Sequence, residues 1–175
     1  CGLAEMPDKI LFYSCDGKTH PAAVPADAST CPPLGFDSST SFFGESRTTL
    51  GSNLYFSGVD DAGEKGNEIW YFDGTQMNRL TDIQIGSASS MIESMVGVGD
   101  TLYFAATDVT HGSQLWISDG ATAISGEVEC NQTTTHNCML PELNADPMQG
   151  SNPRDFTVMG DYLYFVADAD DIGIE

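Results

Sequence analysis

The sequence predicts an all-β fold built from repeats of short antiparallel strands, and three observations predict it. First, three segments read almost alike: Gly51-Ser52-Asn53-Leu54-Tyr55-Phe56, Gly99-Asp100-Thr101-Leu102-Tyr103-Phe104 and Gly160-Asp161-Tyr162-Leu163-Tyr164-Phe165. Their leucines stand 48 and 61 residues apart, from 54 to 102 and from 102 to 163. Second, a Trp-centred run closing on Asp-Gly follows the first two: Glu68-Ile69-Trp70-Tyr71-Phe72-Asp73-Gly74 and Gln114-Leu115-Trp116-Ile117-Ser118-Asp119-Gly120. Third, no stretch carries helical periodicity with caps at its ends.

Each element has a physical reason. Leu-Tyr-Phe and Ile-Trp-Tyr-Phe are rich in aromatic residues, which suit a pleated, half-buried surface. Gly-Asp ahead of the first run and Asp-Gly after the second mark turns, since Gly reaches positive φ without a steric cost. An earlier copy of the second run lies at Leu11-Phe12-Tyr13-Ser14-Cys15-Asp16-Gly17, with Tyr13 in the Trp place. A third element, Leu80-Thr81-Asp82-Ile83, precedes Gly86-Ser87-Ala88-Ser89-Ser90, and Leu143-Asn144-Ala145-Asp146 precedes Gly150-Ser151-Asn152-Pro153. Roughly four strands every ~40–50 residues match one blade of a β-propeller. The span holds about three blades, as one propeller portion over 1–175. Its approximate repeats are 1–50 (partial, with an insertion), 51–98, 99–159 (with an insertion) and 160–175 (the start of another). A stacked β-solenoid ranks second, because its rungs are usually shorter.

The chain resembles the ELWxxDGT repeat family, which is grouped with hyalin-like repeats. Leu102 through Gly120 carries the resemblance best, with Ala106, Asp108, Gly112 and Trp116 in place. Leu54 through Thr75 follows with two extra residues in its hairpin. Ala169 departs from the pattern where Asp is expected, and Ile92 stands where the later copy has Pro153. The resemblance implies a propeller-like fold in secreted or surface proteins and little about activity. Fold alone does not fix function.

Composition points the same way. The net charge is −20, from 26 acidic and six basic residues. Such a surface repels phosphates and anionic lipid, which argues against nucleic-acid partners. No apolar run approaches the length of a transmembrane segment. The five cysteines are Cys1, Cys15, Cys31, Cys130 and Cys138, without a C-x-x-C pair. With few lysines and many Ser, Thr, Asn and Pro, they indicate an oxidising, extracellular or cell-surface setting. Cys130 and Cys138 are expected to close a polar loop as a disulfide. Cys15 with Cys31 is a second candidate bridge, with pairings of Cys1 to either left open. Cys1 reads either as a lipidated first residue or as the point where a fragment begins. The last repeat stops one strand short, so the chain is expected to be part of a longer one; docking of partner copies on its open edges is the alternative.

Three further sets of residues are candidates for sites. Asp60, Asp61, Asp108, Asp168, Asp170, Asp171 and Glu175 follow the Leu-Tyr-Phe strands and offer oxygen ligands for Ca²⁺. Against this, Asp favours turns by binding its own backbone. Asn131-Gln132-Thr133 is an N-glycosylation sequon in the polar loop. Leu54, Phe56, Trp70, Leu102, Phe104, Trp116, Leu163 and Phe165 recur at repeat spacing and are expected to form the repeat core. An aromatic sugar platform is the rival reading. His20, His111 and His136 have no catalytic motif partner. The arginines are only Arg47, Arg79 and Arg154, too few for a sialidase-type cluster. No catalytic residue is assigned. The expected role is a non-catalytic structural or adhesive module whose partners are copies of itself or other extracellular proteins. A Ca²⁺-assisted glycan-binding propeller, and then a glycosidase- or lyase-type enzyme, are the alternatives.

Overall fold

The computed structural model describes residues 4–6, 9–11, 46–59, 65–73, 76–126, 128–131, 137–141, 143–144, 149–169 and 173–174. Among these the fold is all-β, with several antiparallel sheets and no helix. A short hairpin comes first, β1 (Ala4–Met6) and β2 (Lys9–Leu11). Then β3 (Arg47–Leu50), β4 (Asn53–Val59), β5 (Asn67–Phe72) and β6 (Met77–Arg79) form a four-stranded antiparallel meander. After β7 (Thr81–Asp82), a second meander follows: β8 (Met95–Val98), β9 (Thr101–Asp108), β10 (Gly112–Ser118) and β12 (Cys138–Met139), with β11 (Ile124–Ser125) before its last strand. The hairpins β13 (Arg154–Met159) with β14 (Tyr162–Val166), and β15 (Asp168–Ala169) with β16 (Gly173–Ile174), begin a third unit.

Register places the repeated residues in equivalent positions. Phe56 opposes Trp70 in the first sheet, and Phe104 opposes Trp116 in the second. The first strand of each unit pairs alike: Arg47 opposes Phe56, and Met95 opposes Phe104. Gly51 and Gly99, where the sequence repeats begin, sit in the turn between the first and second strands.

One apolar core runs through both sheets. Tyr55 and Ile69 come from the first sheet; Met95, Leu102, Phe104, Trp116 and Met139 come from the second; Leu80, Ile83 and Ile92 fill the connection between them. The rings of Phe104 and Trp116 stack at 6.3 Å between centroids. Of the expected repeat core, Phe56, Leu102, Phe104 and Trp116 are buried, while Leu54, Trp70, Leu163 and Phe165 are half-buried. Phe165 packs edge-on against Phe156 at 6.1 Å.

The units are also joined by strands. β7 runs parallel to β11, with Thr81 opposite Ile124, so a strand leaving the first sheet pairs with one leaving the second. First strands of successive units lie side by side, β3 against β8 and β8 against β13, and among the described residues the outer strands β6 and β12 make no comparable contact.

Candidate functional site

The most developed polar arrangement lies at the junctions between units. Glu68 is the second residue of the Trp-centred strand β5 and is fully buried. Its Oε2 accepts the Thr81 hydroxyl at 2.6 Å and the Ile83 amide at 3.4 Å, and its Oε1 accepts the Ser90 hydroxyl. Burial raises the Glu68 carboxyl above its usual value, against the pull of the Ser90, Thr81 and Ile83 hydrogen bonds. A buried carboxylate is costly unless its lone pairs are occupied, and here three donors occupy them.

The second sheet repeats this with Gln114, also buried. Its Oε1 accepts the Ser151 hydroxyl at 2.5 Å, and its Nε2 donates to the His111 carbonyl at 3.0 Å. Ser90 and Ser151 are equivalent serines of the Gly-Ser elements, and each bridges two units through its backbone. Ser90 donates to Asn67 O at 3.0 Å and accepts from Thr107 N at 2.7 Å. Ser151 donates to Ser113 O at 2.9 Å and accepts from Asp168 N at 2.7 Å. The same stitch thus fastens unit one to unit two and unit two to unit three. Gly66 is required beside the first stitch: it holds φ +61°, and a Cβ there would overlap the Ala88 carbonyl oxygen.

The acidic candidates fall into two groups. Asp60, Asp61, Asp170, Asp171 and Glu175 lie outside the described residues, as do Cys15 and Cys31. Asp108 is buried at the β9–β10 turn, where its Oδ1 accepts the Thr110 amide at 2.8 Å and the His111 amide at 2.6 Å. Its carboxylate also meets His111 Nδ1 at 3.0 Å, and His111 Nε2 faces the exposed Glu129 at 3.2 Å. Asp108 thus closes its own turn. Asp168 accepts from Asn152 Nδ2 at 3.1 Å and Arg154 Nη1 at 3.0 Å, and these two partners hold its carboxyl below the usual value. Asp108 and Asp168 belong to different units, and among the described residues no three His, Cys, Asp or Glu side chains gather as a metal ion requires.

Asp119 of the second Asp-Gly turn is exposed but heavily bonded. Burial pulls its carboxyl upward, yet the Thr122 and Ala121 amides, the Thr122 hydroxyl and the Asn137 amide group outweigh it and bring it down to about 2. Asn137 also accepts from Ser118 Oγ at 2.8 Å and Asp119 N at 3.0 Å. This knot seats the polar loop beside Cys138. Cys130 and Cys138 stand at disulfide distance, S–S 2.05 Å, consistent with the bridge expected there. Asn131 of the sequon is exposed beside it.

Trp116 is wholly buried and Trp70 half-buried within the sheets, so the repeated tryptophans do not build an open platform. A shallow hollow of about 500 Å³ opens beside Ile83, Ile85, Ala88 and Val109. Gln84 lines it, but its amide is already bound to the Ser89 and Thr107 carbonyls at 2.6 and 3.0 Å. No helix among the described residues is long and apolar enough to cross a membrane.

Sequence reading placed Glu68, Gln114, Ser90 and Ser151 in the repeats without giving them a role. The signal was a polar residue recurring just ahead of Ile-Trp and Leu-Trp, inside runs otherwise apolar. Glu129 and Asn137 carried no signal, because their partners are remote in sequence. Comparison with protein-family models, with curated proteins and with solved structures finds no match for this chain.

Proposed function

We propose that the chain is a propeller-like array of four-stranded units serving as a non-catalytic structural or adhesive module outside the cell. The observation that carries this is the repeated stitch, Glu68 to Ser90 and Gln114 to Ser151, which spends buried polar groups on joining units. The side-by-side first strands β3, β8 and β13, beside outer strands that among the described residues make no comparable contact, support a radial arrangement of units. The ELWxxDGT resemblance and the acidic, cysteine-bearing composition support an extracellular or surface location. Its partners are then copies of itself or other extracellular proteins.

Beads coated with the folded chain test the adhesive role. They should aggregate, or adhere to a layer of extracellular proteins, and beads bearing reduced and unfolded chain should not. Beads that neither aggregate nor adhere would overturn it. Small-angle scattering tests the arrangement, since radial and linear stacks of units differ in maximum dimension.

A further inference from the structure

One sheet face has three equivalents along the chain: the first is covered, the second, with Val96, Val98, Thr101 and Tyr103, is half-buried, and the third is exposed. In the first unit it carries Thr48 and Leu50 of β3 with Asn53 and Tyr55 of β4, because Thr48 opposes Tyr55 and Leu50 opposes Asn53. The second unit lies on it. Thr48 Oγ1 accepts the Gly97 amide at 3.2 Å, and Tyr55 donates its hydroxyl to the Gly120 carbonyl at 2.8 Å. Gly120 fits between the two large side chains. A Cβ there would stand 2.5 Å from the Tyr55 hydroxyl and 3.0 Å from Leu50 Cδ2. Tyr55 is consequently 2% exposed.

In the third unit, Thr157 opposes Tyr164 and Met159 opposes Tyr162, in the same register. All four side chains are exposed, with Met159 at 62%, Tyr162 at 70% and Tyr164 at 51%. The face is uncharged in a chain of net charge −20. It therefore repeats a cradle that this same chain fills with an Asp-Gly turn. Asp73-Gly74 stands three residues after Trp70, as Asp119-Gly120 stands three after Trp116, so the chain carries a second Asp-Gly at the matching sequence position.

We propose that the Thr157–Met159–Tyr162–Tyr164 face docks a second copy of this chain, which presents to Tyr164 its connection between β5 and β6, where the sequence carries Asp73-Gly74. The proposal rests on the reading of successive units as one continuing array. The contact is head-to-tail, so copies extend into closed rings or open filaments. Charge repulsion between the acidic copies opposes it, and added salt strengthens it by screening.

Sedimentation velocity of the 175-residue chain over a wide concentration range tests this. The expected result is concentration-dependent association that tightens with salt and weakens about tenfold or more in Tyr164→Asp and Met159→Asp, as for a central interface anchor. Both side chains are exposed, so the variants should keep the thermal midpoint of the parent. A benzophenone amino acid replacing Tyr164 should cross-link to a peptide of the second copy containing Gln76. A chain monomeric at every concentration, or association untouched by either variant, overturns the proposal. Tyr55→Phe separates this failure from failure of the underlying reading. A lowered midpoint in a monomeric chain keeps the array and rejects the second copy; an unchanged midpoint rejects the array contact itself.

Discussion

Tyr55 donates its hydroxyl to the carbonyl oxygen of Gly120 at 2.8 Å, from one four-stranded sheet to the next and across 65 residues of chain. Asn53 Nδ2 in turn donates to the same hydroxyl at 3.2 Å, and the Tyr71 ring lies 5.5 Å from that of Tyr55. The hydroxyl is thus both donor and acceptor at a buried seam. Tyr55→Phe leaves the Gly120 carbonyl without this donor and is expected to cost about 1–2 kcal/mol. Gly120→Ala meets both φ +73° and the Tyr55 hydroxyl, and is expected to cost about 2–3 kcal/mol. Because the two residues touch, the double variant should cost less than the sum. Denaturant midpoints of the four proteins check this, and strict additivity would show that the seam carries no coupling.

Glu68 gives a pH dependence of unusual sign for a carboxylate. Its folded-state value lies above the ordinary 4.5, chiefly because burial disfavours the charged form. Its contribution to stability is therefore fully present below pH 4.5 and is lost as pH rises through the folded-state value. Glu68→Gln cannot titrate, and Gln114 shows that an amide can serve the equivalent place. The variant should match the parent in acid and exceed it increasingly as pH rises above 4.5. Glu68→Ala instead strands the Thr81 and Ser90 hydroxyls and should cost about 3 kcal/mol below pH 4.5, and less as pH rises and the parent loses the Glu68 contribution. Thermal midpoints of both variants across pH decide this; a constant gap between Glu68→Gln and parent would refute it.

Asp119 should behave in the opposite sense. Its folded-state value of about 2 lies below the ordinary 3.8. Its contribution is present above pH 3.8 and is lost as pH falls toward 2. Because the side chain is exposed, solvent and salt weaken the effect. Asp119→Asn should remove the part of the acid-induced decline that lies between these values. NMR titration of the Asp119 carboxyl carbon checks the assignment directly; a midpoint near 3.8 would refute it.

The strands whose side chains recur were legible in the sequence. Leu-Tyr-Phe, Ile-Trp-Tyr and the Asp-Gly turns report the second and third strands of each unit, because these are sandwiched and share one packing environment. The first strands were not legible as a class: Arg47-Thr48-Thr49-Leu50 and Met95-Val96-Gly97-Val98 have no common pattern. Each must fit its own neighbour rather than a shared interior. Gly97 is an instance, since a Cβ there would approach the Thr49 carbonyl oxygen to 2.6 Å. The β7–β11 pair was hidden for another reason. Two-residue parallel strands 43 positions apart, Thr81 to Ile124, leave no periodicity to read. Among the site candidates, Asp108 closes its own turn and meets His111, a partner set that the acidic run alone did not reveal.

The polar loop supplies the last prediction. Cys130 and Cys138 are eight residues apart, with their Cα atoms 5.1 Å from each other. Cys130 N donates to Met139 O at 2.7 Å, and Met139 N donates to Val128 O at 2.7 Å, which adds residues 128–130 beside β12. Glu129 in that added segment meets His111 at 3.2 Å. Closing a loop of this size restricts the unfolded chain by about 2–3 kcal/mol. Cys130→Ala with Cys138→Ala should lose about that much, and more if the void at the fully buried Cys138, paired with Ile117 of β10, is not refilled. Hydrogen exchange should then quicken first at residues 128–131 and 137–141, while β4 and β5 keep their protection. Loss of protection throughout both sheets would mean that β12 anchors the second unit as a whole. Unchanged exchange at 137–141 would mean that the Met139 ladder and the Asn137–Asp119 knot hold the loop without the bridge.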